Sequence, residues 1–509
     1  MSPIPKPLQA APRWATPPGV ACIALGYGAI HGLMRWAASG TIGIDDAFET
    51  YYAQALAPGY QVRQPPLYDW MLNVLQHAVG TGVQSFLLLK YLLLVAAVVA
   101  THAVARRAIT DVRLAAVAAL SLSAIYQIGW NIHEGVTHTA ALTALVPTAA
   151  LAFMRVVERP TAGRGAALGL ALGLGMLSKH GFPATVAVLA AGAALTPSVR
   201  VRLRAAPMLV AVAVAALCYA PYAHWLAGQE RTVLAAAEAT LRGTEGPGPA
   251  LRLIDGLLVK PLLFLSPLWL LVTALAWAGP RPADPPATRD PDWAGFLGRA
   301  TLAAAVGLAL AAAAGAVTTL KERHLHALFL LTPVWLWSLT ERFAEPRAAA
   351  RRGLYLLAAL AAVVLALREV GFIIPDEPFC EGRCRPMKPF EALEEVAAPV
   401  GGAGGTLVAG DLYVAGNLRR LLPEARIVSL ETEGWTPPRT EAGARACMLL
   451  WDRDVSRPDS PFVAPAPGDG PTTLIEQSWP HPWRAPGWRY SRFAARVLDP
   501  ADPRCANAP

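Results

Sequence analysis

Within residues 44–77 the chain carries Asp45, Asp46 and Glu49, then Arg63-Gln64-Pro65-Pro66, then Trp70. A carboxylate within hydrogen-bond reach of a hydroxyl can take its proton. Fixed cations can hold a leaving group as it gains negative charge. Asp45 or Asp46 can supply the first part. Lys179, Arg63, Arg323 and His324 can supply the second, since lysine and arginine match phosphate oxygens. Together they suit displacement of a phosphate from the anomeric carbon of a sugar by an acceptor hydroxyl. Glu49, His133, Glu134 and His180 are candidate supporting groups. Each residue also has a plainer use. Acids before a helix favour its N-terminal dipole, and Lys179, Arg323 and His324 suit snorkelling to lipid headgroups.

The elements that must position these groups are short. A helix from Asp46 places Phe48, Tyr51, Tyr52 and Ala55 on one face. Pro65-Pro66 breaks the chain, and Leu67, Trp70, Met71, Val74 and Leu75 form a second apolar stripe. Two amphipathic helices at a membrane surface, with their carboxylates turned to water, fit this pattern.

The 509 residues are 54% hydrophobic and 16% charged. Soluble domains carry about 25% charge, so lipid is the expected solvent for much of this chain. The net charge of +8 is spread through short arginine-bearing loops, which excludes a nucleic-acid partner. Taking about 20 apolar residues per crossing, we expect about eleven spans, near 18–38, 83–105, 112–131, 137–157, 164–178, 181–196, 206–227, 257–278, 298–319, 325–341 and 353–373. The first follows Lys6 and Arg13 and reads as an uncleaved anchor.

Every second loop has its arginines: 106, 107 and 113; 155, 159 and 164; 200, 202 and 204; 281, 289 and 299; 342, 347, 351 and 352. The positive-inside rule then puts the N-terminus in the cytoplasm and the tail outside, in an inner-membrane protein. The opposite loops hold the acids, Lys179-His180 and Arg323-His324, as a site at the outer surface requires.

Residues 1–374 are therefore expected to form a transmembrane domain, and 375–509 a small α/β extracytoplasmic domain, where Gly, Pro and charge replace apolar runs. Strand patterns near 405–410, 425–430, 447–451 and 490–497 alternate with helices near 389–398 and 412–422. The Gly401-Gly402-Ala403-Gly404-Gly405 run precedes a strand and reads as a loop, not a phosphate cradle. Four of six cysteines, Cys380, Cys384, Cys447 and Cys505, lie in this region and suggest disulfides. Cys380-x-x-x-Cys384 lacks a neighbouring histidine, which favours a pair over a metal site, and Cys447 is a candidate partner for Cys505. No cofactor is indicated. A divalent metal is compatible with the acids, but no ligand spacing calls for one.

Asp45-Asp46-Ala47, the aromatic residues after it and Arg63-Gln64-Pro65-Pro66-Leu67 resemble the first outer loop of glycosyltransferase family 39. This is the protein O-mannosyltransferase and aminoarabinose-transferase group, with the GT-C fold. Leu177-Ser178-Lys179-His180 is similar to that family's Leu-Ser-Lys-Tyr hairpin, and Arg323-His324 to the opening of one of its late spans. Asp46 stands where the family usually has Glu, and Gln64 where it usually has His. The resemblance covers about residues 18–341; the tail, with Ala415-Gly416-Asn417-Leu418-Arg419, resembles alphaproteobacterial members. It implies transfer of a sugar, with inversion, from a polyprenyl-phosphate donor to an envelope lipid, glycan or protein outside the cytoplasm. The family's essential aspartate falls on Asp45, and its neighbouring acid on Asp46. A polytopic lipid or solute transporter is the rival reading. Transporters place coupling residues near the bilayer midplane, whereas these acids gather on one face.

Overall fold

The computed structural model describes residues 11–230, 232–241, 248–278, 281–282, 289–318, 321–373, 387–432, 435–439, 446–454, 469–480 and 484–506. Cys380 and Cys384 lie outside the described residues. The structure is mostly helical. Among the described residues, five helices are long and apolar enough to cross a membrane: Val83–Ala108, His138–Glu158, Ala205–Ala227, Trp293–Ala313 and Pro346–Arg368.

In chain order, α1 (Pro17–Ala38) leads to two short helices, α2 (Ile44–Tyr52) and α3 (Leu67–Val79). Then come α4 (Val83–Ala108), α5 (Val112–Leu120), α6 (His138–Glu158), α7 (Ala162–Ser178), α8 (Phe182–Leu195) and α9 (Ala205–Ala227). The helix α10 (Leu268–Ala278) is followed by α11 (Trp293–Ala313), α12 (Thr332–Phe343) and α13 (Pro346–Ile373).

Glycines spaced four apart decide one contact. A Cβ at Gly165 or Gly169 of α7 would lie 2.4 or 2.5 Å from the carbonyl oxygens of Pro207 and Ala211 on α9. At Gly173 it would lie 2.5 Å from Cys218 Cβ. Without hydrophobic drive between helices in lipid, such close backbone approach is what joins them. The arginine loops gather at one end: Arg107 pairs with Glu158, Arg202 with Asp290, and Arg289 donates to the carbonyls of Arg106 and Arg107. Since α4 runs towards Arg106 and α7 runs away from Arg164, α2, α3 and Lys179 lie at the other end.

Three expected spans are interrupted. Residues 257–278 comprise short turns Asp255–Val259 and Lys260–Phe264, a break before Pro267, and α10. Residues 112–131 tighten to a 3-10 turn at Ser121–Ala124, break at Ile125, which forms a bridge to Pro267, and resume as a π turn at Gln127–Asn131. Residues 325–341 divide into His326–Phe329 and α12, whose start Pro333 favours. Hydropathy could not see these breaks, because apolar residues on both sides bury equally well.

Beyond α13 lies a five-stranded sheet of order β2-β1-β3-β5-β4. Its strands are β1 (Thr406–Ala409), β2 (Arg426–Ser429), β3 (Cys447–Asp452), β4 (Thr472–Ser478) and β5 (Tyr490–Leu498). β1 is parallel to β2 and β3, while β5 is antiparallel to β3 and β4. Helix α14 (Ala392–Gly401) leads into β1, and α15 (Leu412–Leu421) supplies the crossover from β1 to β2. Gly404 takes φ +73°, the left-handed turn that ends the Gly run before β1. β4 was not legible in the sequence, because its exposed polar residues do not alternate with apolar ones. Cys447 and Cys505 form a disulfide that pins the tail to β3.

The sheet's core includes part of the first loop. Tyr51, Tyr52 and Tyr60 are buried with Phe390, Leu407, Val414 and Leu418, and all three tyrosine rings pack edgewise against Trp435. Gln54 closes the join like an added strand: it donates to Ile427 O at 3.0 Å and accepts from Ile427 N at 3.0 Å.

Candidate active site

Helix α2 forms because Gly43 leaves extended backbone and Asp45 and Asp46 occupy the first turn, where the dipole favours acids. Asp45 opens to the surface. It abuts Gly135, which has φ +141° and whose added Cβ would stand 3.9 Å from Asp45 Cβ. Surrounding protein, then the carboxylates of Asp46 and Glu49, raise the Asp45 pKa above the usual carboxylate value, while Arg323 and Lys90 oppose the rise.

Lys179 ends α7, and its ammonium donates to Thr139 Oγ1 on α6. Burial, with the nearby Arg323 charge, lowers its pKa to about 8, against a pull from Asp45. Arg323 and His324 lie in the turn Glu322–Leu325. That turn is held by His326 Nδ1, 3.0 Å from Thr143 Oγ1, and by Thr185 Oγ1 donating to Ala327 O at 2.8 Å. Burial and the charges of Lys179 and Arg323 lower His324 to about 4. Near neutral pH it meets a ligand as an uncharged group, so the positive charge here comes from Lys179 and Arg323, with Lys321 nearby. Asp45, Lys179, Arg323 and His324, drawn from α2, the end of α7 and the loop before α12, thus share one electrostatic environment.

Other expected members stand apart. His180 Nε2 is 2.9 Å from Val62 O and 3.3 Å from the Tyr222 hydroxyl, so it anchors the loop bearing Arg63. Arg63 itself is exposed. His133 is buried rather than at the outer surface. Its Nε2 and Nδ1 meet the hydroxyls of Tyr27 and Tyr91 at 2.8 and 3.0 Å, and its ring stacks on His31 at 3.9 Å. Glu134, beside it, is exposed.

The expectation that the carboxylates of α2 face water holds for Asp45 and is corrected for Asp46 and Glu49. Asp46 and Glu49 are 7% and 5% exposed. Asp46 Oδ1 lies 3.9 Å from Lys90 Nζ, and Glu49 Oε1 accepts from Thr137 at 3.1 Å and faces His138 Nε2 at 3.1 Å. Helix α3 likewise buries Asp69, Asn73 and Gln76 and leaves Val74 exposed. Its polar side faces in together with Leu67, Tyr68 and Leu72, while Trp70, Met71 and Leu75 are half-buried. Sequence reasoning missed Asp69, Lys90 and His138. A lone lysine inside the apolar run 83–105 was the available signal, since such a charge needs a partner. Asp69 is fully buried, and burial with the Glu49 carboxylate holds its pKa well above normal.

Residues 63–225 match the family described as dolichyl-phosphate-mannose-protein mannosyltransferase. The chain is 28% identical over 434 residues to the lipopolysaccharide core galacturonosyltransferase RgtA of Rhizobium johnstonii, covering 84% of this chain and 85% of that one. It is 25% identical to RgtB of the same organism, covering 82% and 84%. Its fold is similar to ArnT from Cupriavidus metallidurans bound to undecaprenyl phosphate, with TM-score 0.56, 14% identity and coverage of 94% and 98%. The apo ArnT structure matches with TM-score 0.53 and 13% identity. These likenesses support a GT-C glycosyltransferase family for the chain. The chain is a multi-pass membrane enzyme, and this glycosyltransferase presents a carboxylate and two cations at one end of its bundle.

Proposed function

We propose that this glycosyltransferase moves a sugar from a polyprenyl-phosphate donor to an envelope acceptor, with inversion. A uronic acid donor and a lipopolysaccharide-core acceptor are the first choice, because RgtA and RgtB are named for that reaction. ArnT bound to undecaprenyl phosphate supports the donor lipid. The carrying observation is Asp45 within the field of Lys179 and Arg323.

An acceptor hydroxyl oxygen attacks the anomeric carbon as its bond to the donor phosphate breaks. The hydroxyl proton passes to Asp45, and the electron pair leaves with the polyprenyl phosphate. Lys179 and Arg323 hold the phosphate as its charge grows, with His324 beside them as a neutral hydrogen-bonding group. The raised pKa of Asp45 makes it a better proton acceptor than an ordinary surface aspartate. Asp46 and Glu49 support it from the buried side.

In this reading the chain crosses the inner membrane about eleven times, with its N-terminus in the cytoplasm. Residues 1–374 form the membrane domain and 375–509 an extracytoplasmic α/β domain. The gathering of the arginine loops opposite Asp45 supports that orientation. Incubation of purified enzyme with labelled polyprenyl-phosphate galacturonic acid and lipopolysaccharide core should release free polyprenyl phosphate and label the core. Release only from a neutral or amino-sugar donor would overturn the uronic acid assignment, and no release from any polyprenyl-phosphate sugar would overturn the donor class.

A further inference from the structure

Glu49 of α2, Asp69 of α3 and His138 of α6 converge in the interior behind the candidate active site. One donor atom from each lies within 4.8 Å of the others. His138 Nε2 is 3.1 Å from Glu49 Oε1 and 4.0 Å from Asp69 Oδ2. Their exposures are 5%, 0% and 2%.

The cluster is incomplete as it stands. Asp69 meets Glu49 carboxyl to carboxyl, and neither Asp69 oxygen, nor Glu49 Oε2, nor the adjacent Tyr68 hydroxyl has any further partner. Among the described residues, no lysine or arginine pairs with Glu49 or Asp69. Lys90 faces Asp46 instead. A buried carboxylate without a donor or countercharge is costly, and two side by side are worse. Once both are ionised around a bound ion, the two carboxylates carry the charge that one divalent cation cancels.

We propose that Glu49, Asp69 and His138 bind a divalent cation, Zn²⁺ or Mn²⁺. Imidazole suits zinc and carboxylates suit manganese as well, so the donor set admits both. Ligand atoms about 2.0–2.2 Å from a tetrahedral zinc stand about 3.3–3.6 Å apart. That spacing falls between the 3.1 and 4.0 Å seen here. The ion clasps α2 to α3 and α6, one helical turn beyond Asp45, and so fixes the first outer loop. Its role is positioning: neither the attacking hydroxyl nor the phosphate is assigned to it. The site stands independently of the donor and acceptor proposed above.

The test is elemental analysis of the full chain purified in detergent through a tag without histidines. The expected result is about one equivalent of zinc or manganese per chain, falling below about a tenth in Asp69→Asn and His138→Ala, because loss of a direct ligand exceeds the roughly 10- to 100-fold that loss of an outer partner costs in affinity. After chelation, ZnCl₂ or MnCl₂ should raise the thermal midpoint of the wild type by a few degrees and leave Asp69→Asn unmoved. If the variants do not fold, the wild-type measurements decide alone. Wild type purified without metal, with a midpoint insensitive to both salts, would overturn the site and leave the transfer reading intact. Failed transfer by a protein that holds stoichiometric metal would do the reverse.

Discussion

Gly416 of α15 meets Ala47 of α2 backbone to backbone: a Cβ at Gly416 would stand 2.1 Å from the Ala47 carbonyl oxygen. One residue on, the Asn417 side chain accepts from Ile42 N at 3.2 Å and donates to Ile42 O at 3.5 Å. The helix that carries Asp45 is therefore seated on the α/β layer as well as on the membrane bundle. Gly416→Ala should displace α2 and cost about 1–3 kcal/mol of stability, the usual price of overpacking. In transfer assays its kcat should fall more than its donor KM rises, because Lys179 and Arg323 lie on other elements. A variant with wild-type kcat and thermal midpoint would show that the layer is not coupled to α2.

Asp45→Asn keeps shape and removes the proton acceptor. Transfer should drop by about a hundredfold to ten-thousandfold, with donor binding retained in a filter or fluorescence assay. A folded Asp45→Asn enzyme at the wild-type rate would remove Asp45 from the role, and a dead Asp46→Asn beside it would move the role to Asp46.

Lys179 carries a pH signature. Its pKa is lowered to about 8, so the free enzyme holds this positive charge below that pH and loses it as pH rises through it. If the ammonium binds donor phosphate, kcat/KM for donor should show a basic limb near pH 8. Lys179→Arg should move the limb upward and keep part of the activity, since arginine remains charged throughout. Lys179→Ala should bind donor poorly at every pH. An unchanged limb in Lys179→Arg would assign it to another group.

Lys90 and Asp46 should behave as a buried pair. Removing either partner leaves an uncompensated charge, so Lys90→Met alone is expected to cost about 3–5 kcal/mol. The double variant Lys90→Met, Asp46→Asn should recover much of that loss in thermal unfolding. Additive losses would mean that the two groups do not interact.

The sequence by itself determined the membrane class and the position of most long helices, and it offered candidate residues for a site. Apolar runs at α4, α6 and α9 need lipid or a core whatever their neighbours are, and Asp45, Lys179 and Arg323 carry charge at the ends of such runs. Composition also marked the change to strands and turns after α13. What the tertiary structure decided was direction. A helical wheel shows that α2 and α3 each have two faces, but not which one meets protein. In α2 and α3 the acids Asp46, Glu49 and Asp69 turn inward, and so do their apolar neighbours Tyr51, Tyr52 and Tyr68, so protein covers both faces. The partners that make this tolerable, Lys90 and His138, are distant in the chain, on helices whose apolar patterns conceal them. Their meeting depends on how α4 and α6 rotate against α2 and α3. That rotation is fixed by packing among many side chains at once, which no local spacing encodes.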